Sequence, residues 1–159
     1  MQFLCIGTAE TELGGPFNKA AYVTANGLLA SGNYILMAAV MAGGMVPPLA
    51  IALSTTFFKN KWTEDERNAG LVNYIMGLSF ISEGAIPFAA NDPIHVIPSC
   101  VIGSAVAGGL SVAFNCQLRA PHGGVFVIAT VNNWPLYLLA IAAGAVVGCL
   151  ILSALKKAK

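Results

Sequence analysis

One carboxylate in this chain stands where a carboxylate is expensive. Glu83 lies in the stretch 77–98, GLSFISEGAIPFAANDPIHVIP, and between Arg67 and Arg119 its only charged companion is Asp92. On insertion scales a charged side chain at bilayer depth costs at least ~2.5 kcal/mol. Such a group persists where it meets a cation, water or a substrate. An ionised carboxylate only accepts hydrogen bonds, and neighbouring hydroxyls of a polyol or sugar can supply two of them. The competing reading is an ion pair with Arg119 or Lys19 that merely holds helices together.

Further polar residues are set in apolar or glycine-rich surroundings. His122 follows Arg119, Ala120 and Pro121 and precedes Gly123 and Gly124, glycines that permit close backbone approach. Asn18 and Lys19 stand just before an apolar stretch, as pore-lining groups or, for Lys19, as an interfacial anchor. Asp92, between Asn91 and Pro93, reads as a turn or helix cap. His95 reads as a loop histidine that could pair with Asp92. Cys5, Cys100, Cys116 and Cys149 form no CxxC pair and no zinc-ligand spacing, and in apolar runs a free cysteine packs as a small hydrophobe. Phosphate loops, dinucleotide fingerprints, HExxH and nucleophile elbows are lacking. No metal site and no cofactor is expected, and a membrane-embedded hydrolase finds no nucleophile–base pair.

The elements that must hold these residues follow from where charge is missing. Of 159 residues, 57% are hydrophobic and 9% charged, whereas a soluble domain carries about a quarter charged. Mean hydropathy is +0.74. The net charge of +1 offers nucleic acid no basic surface. No charge occurs between Lys19 and Lys59, nor between Arg119 and Lys156. A bilayer core about 30 Å thick needs roughly 20 apolar residues per helix. The expected fold is therefore an all-α integral membrane protein of transmembrane helices plus re-entrant hairpins.

The spacing predicts spans over 34–58, 99–118 and 134–155 and a broken, re-entrant segment over 70–98. Pro47-Pro48 should kink or interrupt the first span. The stretch 59–69, KNKWTEDERNA, is the clear aqueous loop, and Thr63 before Glu64, Asp65 and Glu66 predicts a capped helix start. Lys59, Lys61 and Arg67 place that loop in the cytoplasm, and Lys156, Lys157 and Lys159 place the C-terminus there too. Three full crossings between them would break parity. A segment 70–98 that enters and returns restores it and sets Glu83 near its tip, where irregular backbone requires protein cover or a cavity. Arg119 is then left on the outer side. Small residues such as Gly144, Gly148, Gly103 and Ala107 suit close helix packing. No secretory signal is evident in MQFLCIGTAETE, so insertion would rely on the internal apolar segments.

Four runs, GGPFNKAAY (14–22), MVPPLAIAL (45–53), GLSFISEGAIPFAANDPIHVIP (77–98) and LRAPHGGVFVI (118–128), resemble the enzyme IIC membrane component of bacterial phosphoenolpyruvate-dependent sugar phosphotransferase systems, fructose-specific branch. The resemblance runs from about Gly14 to the C-terminus, with residues 1–13 atypical. It implies a multi-pass permease of the bacterial inner membrane that binds sugar, fructose by default, and presents it to a phosphorylated IIB partner served by IIA. The sugar-binding carboxylate falls on Glu83. Ser82 stands where many relatives carry Thr, Asn18 and Lys19 match the GGPxNK motif, and Arg119, Pro121 and His122 the RAPHGG motif. Glu83, His122, Asn18, Lys19, Ser82 and Arg119 are the expected substrate site.

A family IIC domain is about twice this length, with an N-terminal dimerisation half. The resemblance thus covers a C-terminal half, and the expected partners include that missing half or a second copy, besides sugar, IIB and lipid. A truncated, inactive or accessory fragment is one alternative. An ion-coupled secondary transporter using Glu83 is another. Whether Glu83 orients the reacting hydroxyl or acts as general base stays open, as does the chain's standing as an enzyme, since the phosphoryl donor sits on IIB.

Overall fold

A computed structural model describes residues 16–156, with side chains from Lys19 onward. Among the described residues it is helical, without named strands. Six helices follow one another: α1 (Pro16–Ala30), α2 (Ile35–Phe57), α3 (Glu64–Leu78), α4 (Ile86–Asn91), α5 (Pro93–Ala113) and α6 (Trp134–Leu155). Three short 3-10 turns, Lys59–Lys61, Ser82–Ala85 and Gly124–Thr130, join them. Three helices, α2, α5 and α6, are long and apolar enough to cross a membrane. The chain is an all-α membrane protein.

The core is a trio in which α2 and α6 run the same way and α5 runs against both, set together by small residues. A Cβ on Gly103 would lie 2.8 Å from the Gly144 carbonyl oxygen, and one on Gly144 would lie 2.6 Å from that of Gly103. Gly148 faces Ala50 and the Ser99 carbonyl. The small-residue spacing thus serves helix contact inside the chain, where lipid offers no hydrophobic drive and close backbone approach supplies the packing. Helix α2 runs through the middle, and every residue from Met37 to Ala52 is buried.

Of the two outcomes expected at Pro47 and Pro48, interruption does not occur; the helix continues from Ile35 to Phe57. Each proline removes one N–H and so frees the carbonyl four residues earlier. These are the carbonyls of Gly43 and Gly44. The Ser104 hydroxyl donates to Gly43 O at 2.9 Å and the Ser82 hydroxyl to Gly44 O at 3.0 Å, both buried. Neighbouring hydroxyls therefore replace the two missing amides, which is how prolines are tolerated in spanning helices.

Basic residues gather at one end of the bundle. The Lys61 ammonium donates to the Ser153 carbonyl and, at 2.7 Å, to that of Lys156, neutralising the C-terminal end of α6. The Lys156 ammonium lies 3.4 Å from the Trp62 ring centroid and 3.8 Å from Asp92 Oδ2. Trp62 donates to Ser54 Oγ at 3.0 Å. Thr63 opens α3 with a full capping box, accepting from the Glu66 N–H while Glu66 accepts from the Thr63 N–H. Tyr34, Arg119 and Asn132 mark the opposite end.

Between these ends two excursions meet. From the lysine end α3 runs back along α2, with Gly70 against Thr55, Gly77 against Leu49 and the Phe80 ring against Gly44. Gly44 lies about 14 Å from the start of α2 and about 20 Å from its end, at 1.5 Å per residue. There the chain turns through Ser79–Ala85 and returns by α4, where Phe88 packs on Trp62 at 5.6 Å, to Asp92 beside Lys156. From the other end the segment 118–131 dips inward. The Leu118 N–H donates to the Tyr34 carbonyl at 3.2 Å and Leu118 bridges Val131 on the way back.

Helix α5 begins at Pro93, ahead of the sequence bound at 99, because proline at the first helical position forfeits no helical bond. His95 is therefore helical and not in a loop. Asp92 occupies the cap position of α5, but its side chain makes no cap bond. It meets His95 Nδ1 at 2.6 Å instead.

Candidate functional site

Glu83 rides on the 3-10 turn Ser82–Ala85, at the inner limit of the α3–α4 excursion. The turn is tightly specified. Phe80 adopts φ +62°, a conformation uncommon for a bulky residue. Gly124 from the facing segment, at φ +57°, packs its backbone on the turn: a Cβ there would collide with the Leu78 carbonyl and come within 2.8 Å of Phe80 N. Only glycine meets both demands, so Gly124 brings the two excursions into contact, while Gly123, at φ +131°, packs against Val127 of its own segment. Gly84 is held equally close by Asn73 and Met76 of α3.

This contact places a cavity of about 210 Å³ beside Glu83, lined by Lys19, Tyr22, Phe80, Ile81, Ser82, Glu83 and His122. Drug-sized ligands occupy pockets from roughly 300 Å³ upward, so this one suits a single small molecule. The Phe80 ring is edge-on to the His122 imidazole at 5.3 Å and 6.2 Å from the Tyr22 ring. Tyr22 donates its hydroxyl to the Pro121 carbonyl at 2.7 Å, which fixes the backbone preceding His122. Among the described residues neither an ion pair nor a hydrogen bond engages the Glu83 carboxylate. An acceptor-only group, a cation, an imidazole and aromatic faces thus share one small space.

Of the residues expected from sequence, Lys19, Ser82, Glu83 and His122 line this cavity together. Ser82 does so with its hydroxyl proton committed to Gly44. Arg119 stands apart: its guanidinium lies 5.6 Å from the Tyr34 ring centroid and forms no pair with Glu83. Asn18 is on the first turns of α1, and its side chain lies outside the described residues, as do Lys157, Lys159 and residues 1–13. Sequence reasoning passes over Tyr22 and Phe80. Both fall within the recognised runs, but an aromatic in an apolar run reads as core. Among the described residues no cluster of three or more metal-ligating side chains occurs.

Comparison with known proteins identifies the relatives. No family model matches the chain, and no solved structure matches it. The chain is 55% identical over 95% of its length to the PTS system fructose-specific EIIABC component of Bacillus subtilis, covering 24% of that protein. It is 54% identical over 95% of its length to the Fructose permease IIC component of Bacillus amyloliquefaciens, covering 49% of it. It is 45% identical over 91% of its length to the PTS system fructose-specific EIIC component of Haloferax volcanii, covering 39%. The chain spans about half or less of the curated relatives it matches. Over that stretch, this chain is a relative of the fructose-specific enzyme IIC components of the phosphotransferase system.

Proposed function

We propose that this chain is the sugar-binding part of a fructose permease whose transport is coupled to phosphorylation by a IIB partner. The observation that carries the reading is the Glu83 carboxylate, without an ion-pair partner among the described residues, lining a small cavity where two excursions of the chain meet. In this reading Glu83 accepts hydrogen bonds from two sugar hydroxyls. Lys19 and His122 donate to others, Asn18 extends the polar set, and Phe80 and Tyr22 offer apolar faces to the ring. Arg119 acts at the rim, at the end opposite the lysines.

The chain would span the bacterial inner membrane by α2, α5 and α6, with the segment 64–92 re-entrant and the lysine end cytoplasmic. Lys59, Lys61 and Lys156 support that orientation. Phosphoryl transfer depends on positioning and electrostatic stabilisation. This chain would supply the positioning, with Glu83 orienting the reacting hydroxyl and IIB carrying the phosphoryl group. Relatives named EIIABC and EIIB'BC components support such a partner.

Uptake in cells deleted for their own fructose permease tests the reading, with the remaining IIC half supplied or withheld. Accumulation of fructose phosphate that requires phosphoenolpyruvate supports it. Uptake that needs an ion gradient and runs without phosphoenolpyruvate refutes it in favour of a secondary transporter.

A further inference from the structure

We propose that Ser82 is a positioning residue, whose hydroxyl tethers the turn bearing Glu83 to the carbonyl that Pro48 leaves free on α2. The proposal deepens the sugar-site reading and rests on it for the role of Glu83.

A hydroxyl has one proton to give. That of Ser82 goes to Gly44 O at 3.0 Å, within a buried contact. Gly44 needs it, because Pro48 has no N–H with which to close the helical bond. An orphaned carbonyl buried in α2 would be costly, so the helix and the turn each complete the other. The tether is local to Glu83, which is the next residue. It also stabilises a turn that has strain to resist, since Phe80 holds φ +62° two residues earlier. The Phe80 ring presses on the same glycine, where a Cβ would come within 2.5 Å of it. Gly44 thus receives a ring and a hydroxyl from one turn, and both contacts fix the depth of Glu83 along α2. To donate to a sugar, Ser82 would need its proton directed into the cavity instead; while the tether holds, its oxygen can only accept.

The test uses the full chain in detergent with fructose as probe. It compares wild type, Ser82→Ala, Ser82→Thr, Pro48→Ala and the double variant Ser82→Ala/Pro48→Ala. Two readouts are taken: fructose affinity, and backbone hydrogen exchange of residues 79–85 without sugar. Ser82→Ala should speed exchange in the turn and weaken fructose binding by roughly three- to tenfold, the scale of one hydrogen bond. Ser82→Thr should restore both. In the Pro48→Ala background the helix supplies its own N–H to Gly44, so removing the Ser82 hydroxyl should cost distinctly less in both readouts. Equal losses in the two backgrounds would overturn the tether and make Ser82 a direct ligand. Unchanged exchange in Ser82→Ala would overturn it too. If wild type binds no fructose even with the remaining IIC half supplied, the sugar reading fails, while the exchange comparison still decides whether the tether exists.

Discussion

The edge of the Phe80 ring meets the imidazole of His122, with centroids 5.3 Å apart and planes at 65°. Phe80 belongs to the excursion from the lysine end, His122 to the one from the opposite end. Their contact is where the two halves of the cavity touch. Phe80→Ala removes this contact and the packing on Gly44. Aromatic pairs contribute about 0.5–1.5 kcal/mol beyond burial, so fructose affinity should fall by roughly three- to tenfold. Binding titration of the variant checks this, and unchanged affinity would separate His122 from the site.

Gly124 tests the same junction through the backbone. Gly124→Ala places a methyl group against the Leu78 carbonyl in a left-handed conformation, which alone costs roughly 1–2 kcal/mol. The melting temperature in detergent should drop and fructose affinity should fall with it. Gly27→Ala is the contrast. Gly27 lies within α1 with open space around it, and alanine there should raise stability by about 0.5–1 kcal/mol.

Ser104 and Pro47 repeat the exchange of hydroxyl for amide away from Glu83. Ser104→Ala leaves Gly43 O without the donor seen at 2.9 Å, at a cost of about 1–3 kcal/mol. The loss should appear in thermal melting and shrink when Pro47→Ala restores the helical N–H. The melting temperatures of the two single variants and the double variant decide it.

Thr63 should matter for stability alone. It caps α3 at the lysine end, far along the helix from the turn that carries Glu83. Thr63→Ala should lower stability by about 1 kcal/mol and leave fructose affinity unchanged, which melting and titration of the same sample would report.

The fold class is legible in the gaps between charges, because a helix that crosses lipid cannot hide a lysine. The start of α3 is legible as well, since Thr63 and Glu66 carry their capping chemistry within four residues. The uninterrupted α2 is not. The hydroxyls that satisfy the two freed carbonyls, Gly44 O and Gly43 O, lie 38 and 61 residues further along the chain, and no local rule reaches that far. The candidate site divides along the same line. Glu83 declares itself as a charge in the wrong solvent, and His122 by its glycines. Tyr22 and Phe80 join them only when α1 and two excursions are folded together. Ser82 sits beside Glu83 in sequence, yet its hydroxyl is turned to the helix behind.

The role of Glu83 is tested most directly by equilibrium binding of labelled fructose to the purified chain and to its Glu83→Gln variant, with melting temperatures recorded for both. The remaining IIC half is supplied in a parallel pair of samples. Hydrogen bonds to a charged group contribute about 1.5–3 kcal/mol each. Glu83→Gln should therefore melt like wild type and bind fructose at least about tenfold more weakly. Wild-type affinity in Glu83→Gln would contradict the account.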